Sequence, residues 1–469
     1  MGAQRGARVA AGAVTLVVVA ALVALAGVLG TAAWDRGDLN EVICDGDCGP
    51  SNVVAPAGLE APPAPVVARP SASDAGPVDP AKLAAAVGPE LDAAVLGPRV
   101  GFSATSPDGT ELFSSGTAAL APASTTKVLT SFAALRTIDP GTRFATTVVR
   151  SGDGIVLVGG GDPYLATKRP GKADDRVVRA DLTTLARRTA AALKAAGTTT
   201  VTLGYDASLF TGPGASPSWE PGYVPDNIVT PVSALWADQG VTNGVRDRDP
   251  ADAAARTFAG LLADRGVDVT GRPAATTAPA GSPAIASVRS ATIEQIVETL
   301  IRVSDNQAAE VVLRQVAVAA GQPADFDGGA AAVRAALESA GVGTTGLVLH
   351  DGSGLSRANR VSPQTLVQTL RIAAASARTS GLMSDLPVSG FTGTLVGRFS
   401  ELAAARGAVR AKTGTLTGIH SLAGYASDAD GRPVLFAVMA DRSDRDQPFP
   451  AQAALDRVAA AIATCSCGS

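Results

Sequence analysis

Strand-like sequence sits at both ends of this chain's folded body, with long helical patterns between, and that arrangement limits the fold more than any other feature. Residues 100–105 and 111–114 read as a strand pair closed by an Asp108-Gly109 turn. Three further strands are expected near the other end, at 408–413, 421–427 and 433–439. Apolar side chains at helical spacing mark 81–87, 122–135, 292–303, 307–320, 330–339, 363–375 and 451–463. A sheet whose pieces lie this far apart closes only after the intervening helices fold back over it. The expectation is therefore an α/β fold, built as an α/β/α layered domain. Between 143 and 283 the texture changes to short strands (147–150, 155–158, 199–203) and loops rich in Gly, Pro and Asp, with helices at 182–196 and 252–265. This reads as one or two inserted β-rich modules. The principal domain is then discontinuous, 80–142 and 284–469.

Ahead of the body, residues 9–33 are uncharged and mostly Ala, Val and Leu, with Arg5 and Arg8 before them and Asp35 and Arg36 after. At about 1.5 Å per residue such a run can cross a bilayer. The basic flank predicts that residues 1–8 form a cytoplasmic tail and that everything after Trp34 lies outside. The alternative is a signal peptide, since Ala and Gly at the end of the run suit cleavage. Residues 34–79 read as a Pro/Ala-rich spacer. Both readings place the body beyond the outer face of the membrane, and cleavage would make the protein secreted. The four cysteines sit at the two ends: Cys44, Cys48, Cys465 and Cys467. In an oxidising compartment they are suspected disulfide formers with three possible pairings, and bridges from the N-terminal arm to the C-terminal end are favoured. Zinc is the other option, although one residue between Cys465 and Cys467 is tighter than usual structural-zinc spacing. A net charge of -4 without any basic block gives nucleic acid nothing to bind. Nothing in the sequence specifies an oligomeric state.

Only six of the 39 basic residues are lysines: Lys82, Lys127, Lys168, Lys172, Lys194 and Lys412. Where Arg is so preferred, a lysine kept in place invites a chemical reason, because its compact amine can lose its proton. In Ser124-Thr-Thr-Lys127 the helical spacing puts the amine within reach of the hydroxyl. A serine is a weak nucleophile until a neighbour takes its proton. A lysine can do so if burial and nearby positive charge depress its pKa. Ser304-Asp305-Asn306 falls where one helical pattern ends and the next begins, so Ser304 can relay a proton and Asn306 can hold Lys127 and a substrate amide. In Lys412-Thr413-Gly414-Thr415, alternation sends Lys412 and Gly414 to one face and Thr413 and Thr415 to the other, unless a bulge or twist intervenes. Lys412 would supply charge, the threonine hydroxyls would bind a terminal carboxylate, and Gly414 would admit a ligand close to the backbone. The N–H groups of Ser124 and Thr415 would form an oxyanion hole. Each stretch alone is commonplace, as a capped helix start, a helix cap or an edge strand.

In this order the three stretches resemble the signature of the penicillin-binding and serine β-lactamase superfamily. Within it the chain resembles the D-alanyl-D-alanine carboxypeptidase/endopeptidases of low-molecular-mass class C, peptidase family S13. Ser304 lies 180 positions after Ser124, in keeping with that family's habit of inserting domains between its first two motifs. Further stretches fit as well: Gly159-Gly-Gly-Asp-Pro-Tyr-Leu165, Pro231-Val-Ser-Ala-Leu235, Asp351-Gly-Ser-Gly-Leu-Ser356, Val361-Ser-Pro363 and Gly393-Thr-Leu395. The resemblance covers about 80–463. It implies a transpeptidase-like catalytic domain and an acyl-enzyme at Ser124. Peptidoglycan stem peptides would be the substrate, β-lactams covalent inhibitors, and no cofactor would be needed. A β-lactamase of the same fold and an inactive wall-binding scaffold are the rival readings. Other chemistries fare poorly. His350 and His420 are the only histidines, neither beside a nucleophile elbow, and no H-E-x-x-H offers zinc ligands.

Overall fold

The computed structural model describes residues 76–116, 118–169 and 177–468. In chain order the elements are α1 (Pro80–Leu91), β1 (Val100–Thr105), β2 (Glu111–Gly116), α2 (Thr126–Thr137), β3 (Arg143–Ser151), β4 (Gly154–Val158), α3 (Leu182–Ala195), β5 (Thr200–Val201) and β6 (Leu203–Asp206). Next come β7 (Val241–Thr242), β8 (Val245–Arg246), α4 (Pro250–Ala263), β9 (Asp268–Val269), β10 (Ala274–Ala275), β11 (Ala284–Thr292) and α5 (Ile293–Val303). The remainder are α6 (Asn306–Ala319), α7 (Phe326–Ser339), α8 (Pro363–Ala375), α9 (Gly381–Asp385), β12 (Val409–Leu416), β13 (Ile419–Ser427), β14 (Pro433–Ala440) and α10 (Pro448–Thr464).

The principal sheet has the order β12-β13-β14-β1-β2, with every neighbour antiparallel. Every residue of β14 is buried, because helices cover both faces. Val434, Phe436 and Val438 pack with Leu83 and Val87 of α1 and Leu455 and Val458 of α10. The intervening Leu435, Ala437 and Met439 pack with Val128 and Phe132 of α2 and Leu366 and Leu370 of α8. The period of two along one strand thus divides the domain into its layers.

The inserted region has its own five-stranded sheet, order β10-β6-β4-β3-β11, backed by α3 and α4. Two expectations need correction here. The insertion does not stop at 283, since β11 (Ala284–Thr292) pairs antiparallel with β3 and completes this sheet. Small residues in β11 weaken its strand signal, and its partner lies far back in the chain. The strand expected at 199–203 is two shorter ones, with β5 paired to β9 and β6 to β4 and β10. The insertion also packs against the principal domain. Its Trp219, Val229, Val232 and Trp236 belong to the same apolar core as α2 and α6. Buried Arg314 of α6 donates to the carbonyls of Thr211 and Pro213.

The two ends of the described body meet through backbone and side chains. Val78 bridges Gly468, and the Asp79 N–H donates to the Cys467 carbonyl at 2.7 Å. The expected bridge from Cys465 or Cys467 to the N-terminal arm is replaced by a bond between these two cysteines, whose Cα atoms lie 5.0 Å apart. That separation is within the range a disulfide spans. Cys44, Cys48 and the apolar run at 9–33 lie outside the described residues. Among the described residues no helix is long and apolar enough to cross a membrane.

Because Phe436 is fully buried between sheet and helices, Phe436→Ala is expected to cost about 3–5 kcal/mol in a denaturant melt. A loss under about 1 kcal/mol would contradict this packing.

Candidate active site

Ser124 lies in a 3-10 turn (Ala123–Thr125) that feeds directly into α2, and Lys127 is on the first turn of that helix. The turn is held tightly. Ala123 has a left-handed φ of 46°, uncommon for a residue with a Cβ. Thr125 Oγ1 donates to the Pro122 carbonyl at 2.8 Å, and Ser421 Oγ of β13 donates to the same carbonyl at 2.6 Å. From the other side Gly354 comes so close that a Cβ there would lie 1.8 Å from the Ala123 carbonyl oxygen. The nucleophile is thereby wedged between the sheet and the 351–356 loop.

Lys127 is wholly buried. Its Nζ lies 3.0 Å from Ser124 Oγ, 2.7 Å from Asn306 Oδ1 and 2.7 Å from the Ser353 carbonyl. Both carbonyl oxygens can only accept, so they take two amine hydrogens. In the neutral amine the remaining direction is the lone pair, and it addresses the serine hydroxyl. Burial lowers the amine's pKa to about 8, against the opposing pull of Glu310, Asp351 and Asp305. Burial is the largest cause of that depression.

Ser304 terminates α5 in a left-handed conformation, φ 60°, and Asp305 caps α6, which begins at Asn306. The short break between helices turns Ser304 toward Lys412, whose Nζ donates to Ser304 Oγ and to the Thr413 carbonyl, each at 2.8 Å. Lys412 is also fully buried, and burial followed by the Lys127 charge holds its pKa well below the ordinary value.

Strand β12 runs in regular register with β13 and carries no bulge. On its outer edge Val409 N–H donates to Ser389 Oγ and Ala411 N–H to the Pro387 carbonyl. Backbone parity then places the N–H groups of Thr413 and Thr415 on that same outer edge. Between them, a Cβ on Gly414 would lie 2.1 Å from Ser421 Oγ, 2.5 Å from the Pro122 carbonyl oxygen and 3.0 Å from the Ser124 nitrogen. The strand thus lies directly against the nucleophile's backbone. Thr413 Oγ1 donates to Thr394 Oγ1 at 2.9 Å, while Thr415 is exposed.

All three motifs converge, and the structure adds residues to them. Glu310, fully buried on α6, accepts the N–H groups of Gly352 and Ser353 at 3.0 and 2.8 Å, fixing the loop whose carbonyl holds Lys127. Burial raises its carboxyl pKa, and the charge of Asp351 adds to the effect. Asp351 accepts from Trp219 Nε1, Asn359 Nδ2 and the N–H groups of Gly354 and Ser356. A charged residue inside the apolar run of α6 was the only sequence sign of Glu310. His420 faces Thr415 across the β12–β13 pairing. His420 is buried on β13 with its pKa lowered to about 4 by loss of water, and its ring nitrogens have no partner among the described residues. Among the described residues no group of His, Cys, Asp and Glu could hold a metal ion.

Comparison with known proteins agrees with the geometry. Residues 83–248 and 240–462 match the D-Ala-D-Ala carboxypeptidase 3 (S13) family. Carboxypeptidase DacB of Mycolicibacterium smegmatis is 33% identical over 87% of this chain and 91% of its own length. A carboxypeptidase of Mycobacterium tuberculosis is 36% identical over 74% of this chain and 76% of its own. The crystal structure of penicillin binding protein 4 from Haemophilus influenzae superposes with a TM-score of 0.67 at 22% identity, covering 82% of this chain and 98% of that one. The fold is thus that of penicillin-binding proteins, and the chain belongs to the D-Ala-D-Ala carboxypeptidase 3 (S13) family.

Proposed function

We propose that this protein is a serine D-Ala-D-Ala peptidase acting on peptidoglycan stem peptides, as carboxypeptidase, endopeptidase or both. The observation that carries this reading is the amine of Lys127, engaged by two carbonyl acceptors so that its lone pair is left for Ser124. Ser124 Oγ attacks the carbonyl of the penultimate D-Ala, and its proton moves to Lys127 Nζ. The N–H groups of Ser124 and Thr415 receive the oxyanion. As the tetrahedral intermediate collapses, the peptide C–N bond breaks. Lys127 then returns the proton through Ser304 to the leaving amine, which is terminal D-Ala or a cross-bridge amine. Water cleaves the resulting ester by the same route in reverse, regenerating Ser124.

Lys412 holds the Ser304 hydroxyl on the proton's path, while the Thr413 and Thr415 hydroxyls would bind a substrate carboxylate. Gly414 keeps the strand close enough for this. A β-lactam presents a strained amide to the same serine, and its acyl-enzyme would deacylate slowly, which separates this reading from a β-lactamase. Residues 9–33 would tether the body to the outer face of the membrane, or release it to the wall if cleaved, near its polymeric substrate.

Digestion of defined linear and cross-linked muropeptides, with products identified by mass, should show D-Ala release or cross-link cleavage. Both should vanish in Ser124→Ala and under penicillin; intact substrates after incubation with folded wild-type protein would sink the proposal. The acylation rate should climb with pH as Lys127 loses its proton, with its midpoint near 8. A rate flat from about pH 6 to 9 would remove Lys127 as the base. Gly414→Ala should slow acylation by about 100-fold, because the added methyl forces the strand off the Ser124 backbone. Wild-type labelling by that variant would show that this close approach is unnecessary.

A further inference from the structure

The inserted domain touches the second motif itself. Asp238, Gln239 and Gly240 follow one another with φ of 51°, 55° and 67°. Two left-handed residues with side chains in succession persist only where the surroundings impose them, and such imposition often marks a functional position. The imposing contacts are plain. Asp238 N–H donates to the Leu165 carbonyl at 2.8 Å, and its carboxylate accepts the Thr167 N–H at 3.2 and 3.3 Å. Thr230 Oγ1 donates to the Gln239 carbonyl at 2.8 Å. A Cβ on Gly240 would lie 2.4 Å from Thr230 Cγ2.

This constrained turn presents the Gln239 side-chain amide, whose Nε2 donates to Asp305 Oδ2 at 2.8 Å. The other oxygen of Asp305 caps α6 by accepting the Ala308 N–H at 3.0 Å. A second link runs the opposite way, from Gln307 Nε2 to the Thr230 carbonyl at 3.1 Å. The residues on either side of Asp305 are the ones that meet the two lysines: Ser304 on Lys412, and Asn306 on Lys127. Asp305 thus stands between the two lysine contacts.

We infer that Gln239 is a positioning residue for the reaction, through which the inserted domain sets Ser304 and Asn306 against the two active-site lysines by its amide bond to Asp305. The inference rests on the acylation chemistry proposed above and assigns the insertion a part in it. A neutral donor suits the place, since it satisfies the second carboxylate oxygen without cancelling a charge that acts on Lys127.

In the full-length protein, Gln239→Glu sets a second carboxylate against Asp305. It should lower the acylation rate at saturating fluorescent penicillin by about tenfold or more, with half-saturation moved less than about twofold. Adding Asp305→Asn puts a donor on the opposite side of the same contact while its amide oxygen still caps α6. The double variant should recover the rate to within about threefold of wild type. Wild-type acylation in Gln239→Glu, or a double variant no faster than the single, overturns the inference. A lesion that only loosened the fold would lower both melting temperatures and give no such recovery. If wild-type protein is itself not labelled, the acylation reading falls and this inference with it; if it is labelled and Gln239→Glu matches it, the inference alone falls.

Discussion

A single amine in an apolar interior governs the rest of the site. Lys127 is wholly buried, so its charged form is disfavoured, and fixed protein acceptors make its burial tolerable. Asn306 and the Ser353 carbonyl supply them and, in doing so, define which way the lone pair faces. Each acceptor must itself be fixed, which extends the constraint outward. Glu310 anchors the Ser353 loop, Asp351 ties that loop to Trp219 of the insertion, and Asp305 caps the helix that starts at Asn306. The buried base therefore accounts for much of the polar chemistry found in an otherwise apolar core.

The second lysine answers to the same physics. Lys412 is buried beside a cation, and its two acceptors, Ser304 Oγ and the Thr413 carbonyl, both belong to the machinery around it. Two amines in one cleft disfavour simultaneous protonation, which suits a site that must move one proton from serine to base to leaving group. The insertion belongs to this arrangement. Its tryptophans complete the core beneath α2 and α6, and its polar turn reaches the loop between α5 and α6.

Much of this was legible in the chain. Period-two and helical spacing marked most elements of the principal domain, because one buried face imposes those periods directly. The nucleophile and base were recognisable because a helix brings positions three apart onto one face, whatever else the protein does. Less visible was β11, whose small residues make a weak strand and whose partner is far back in the chain. The cysteine pairing was misjudged because no periodicity records which thiols meet.

By itself, then, the sequence determined local geometry: most helices and strands of the principal domain, that Ser124 and Lys127 share a helical turn, and that Gly414 leaves room beside the backbone. Tertiary structure alone decided which acceptors Lys127 would find, that Glu310 would be buried beneath the Ser353 loop, and that Gln239 would meet Asp305. The physical reason is range. Local patterns arise from backbone geometry within a few residues, whereas a buried polar group is satisfied by whatever the folded chain brings within 3 Å of it, often from more than a hundred residues away.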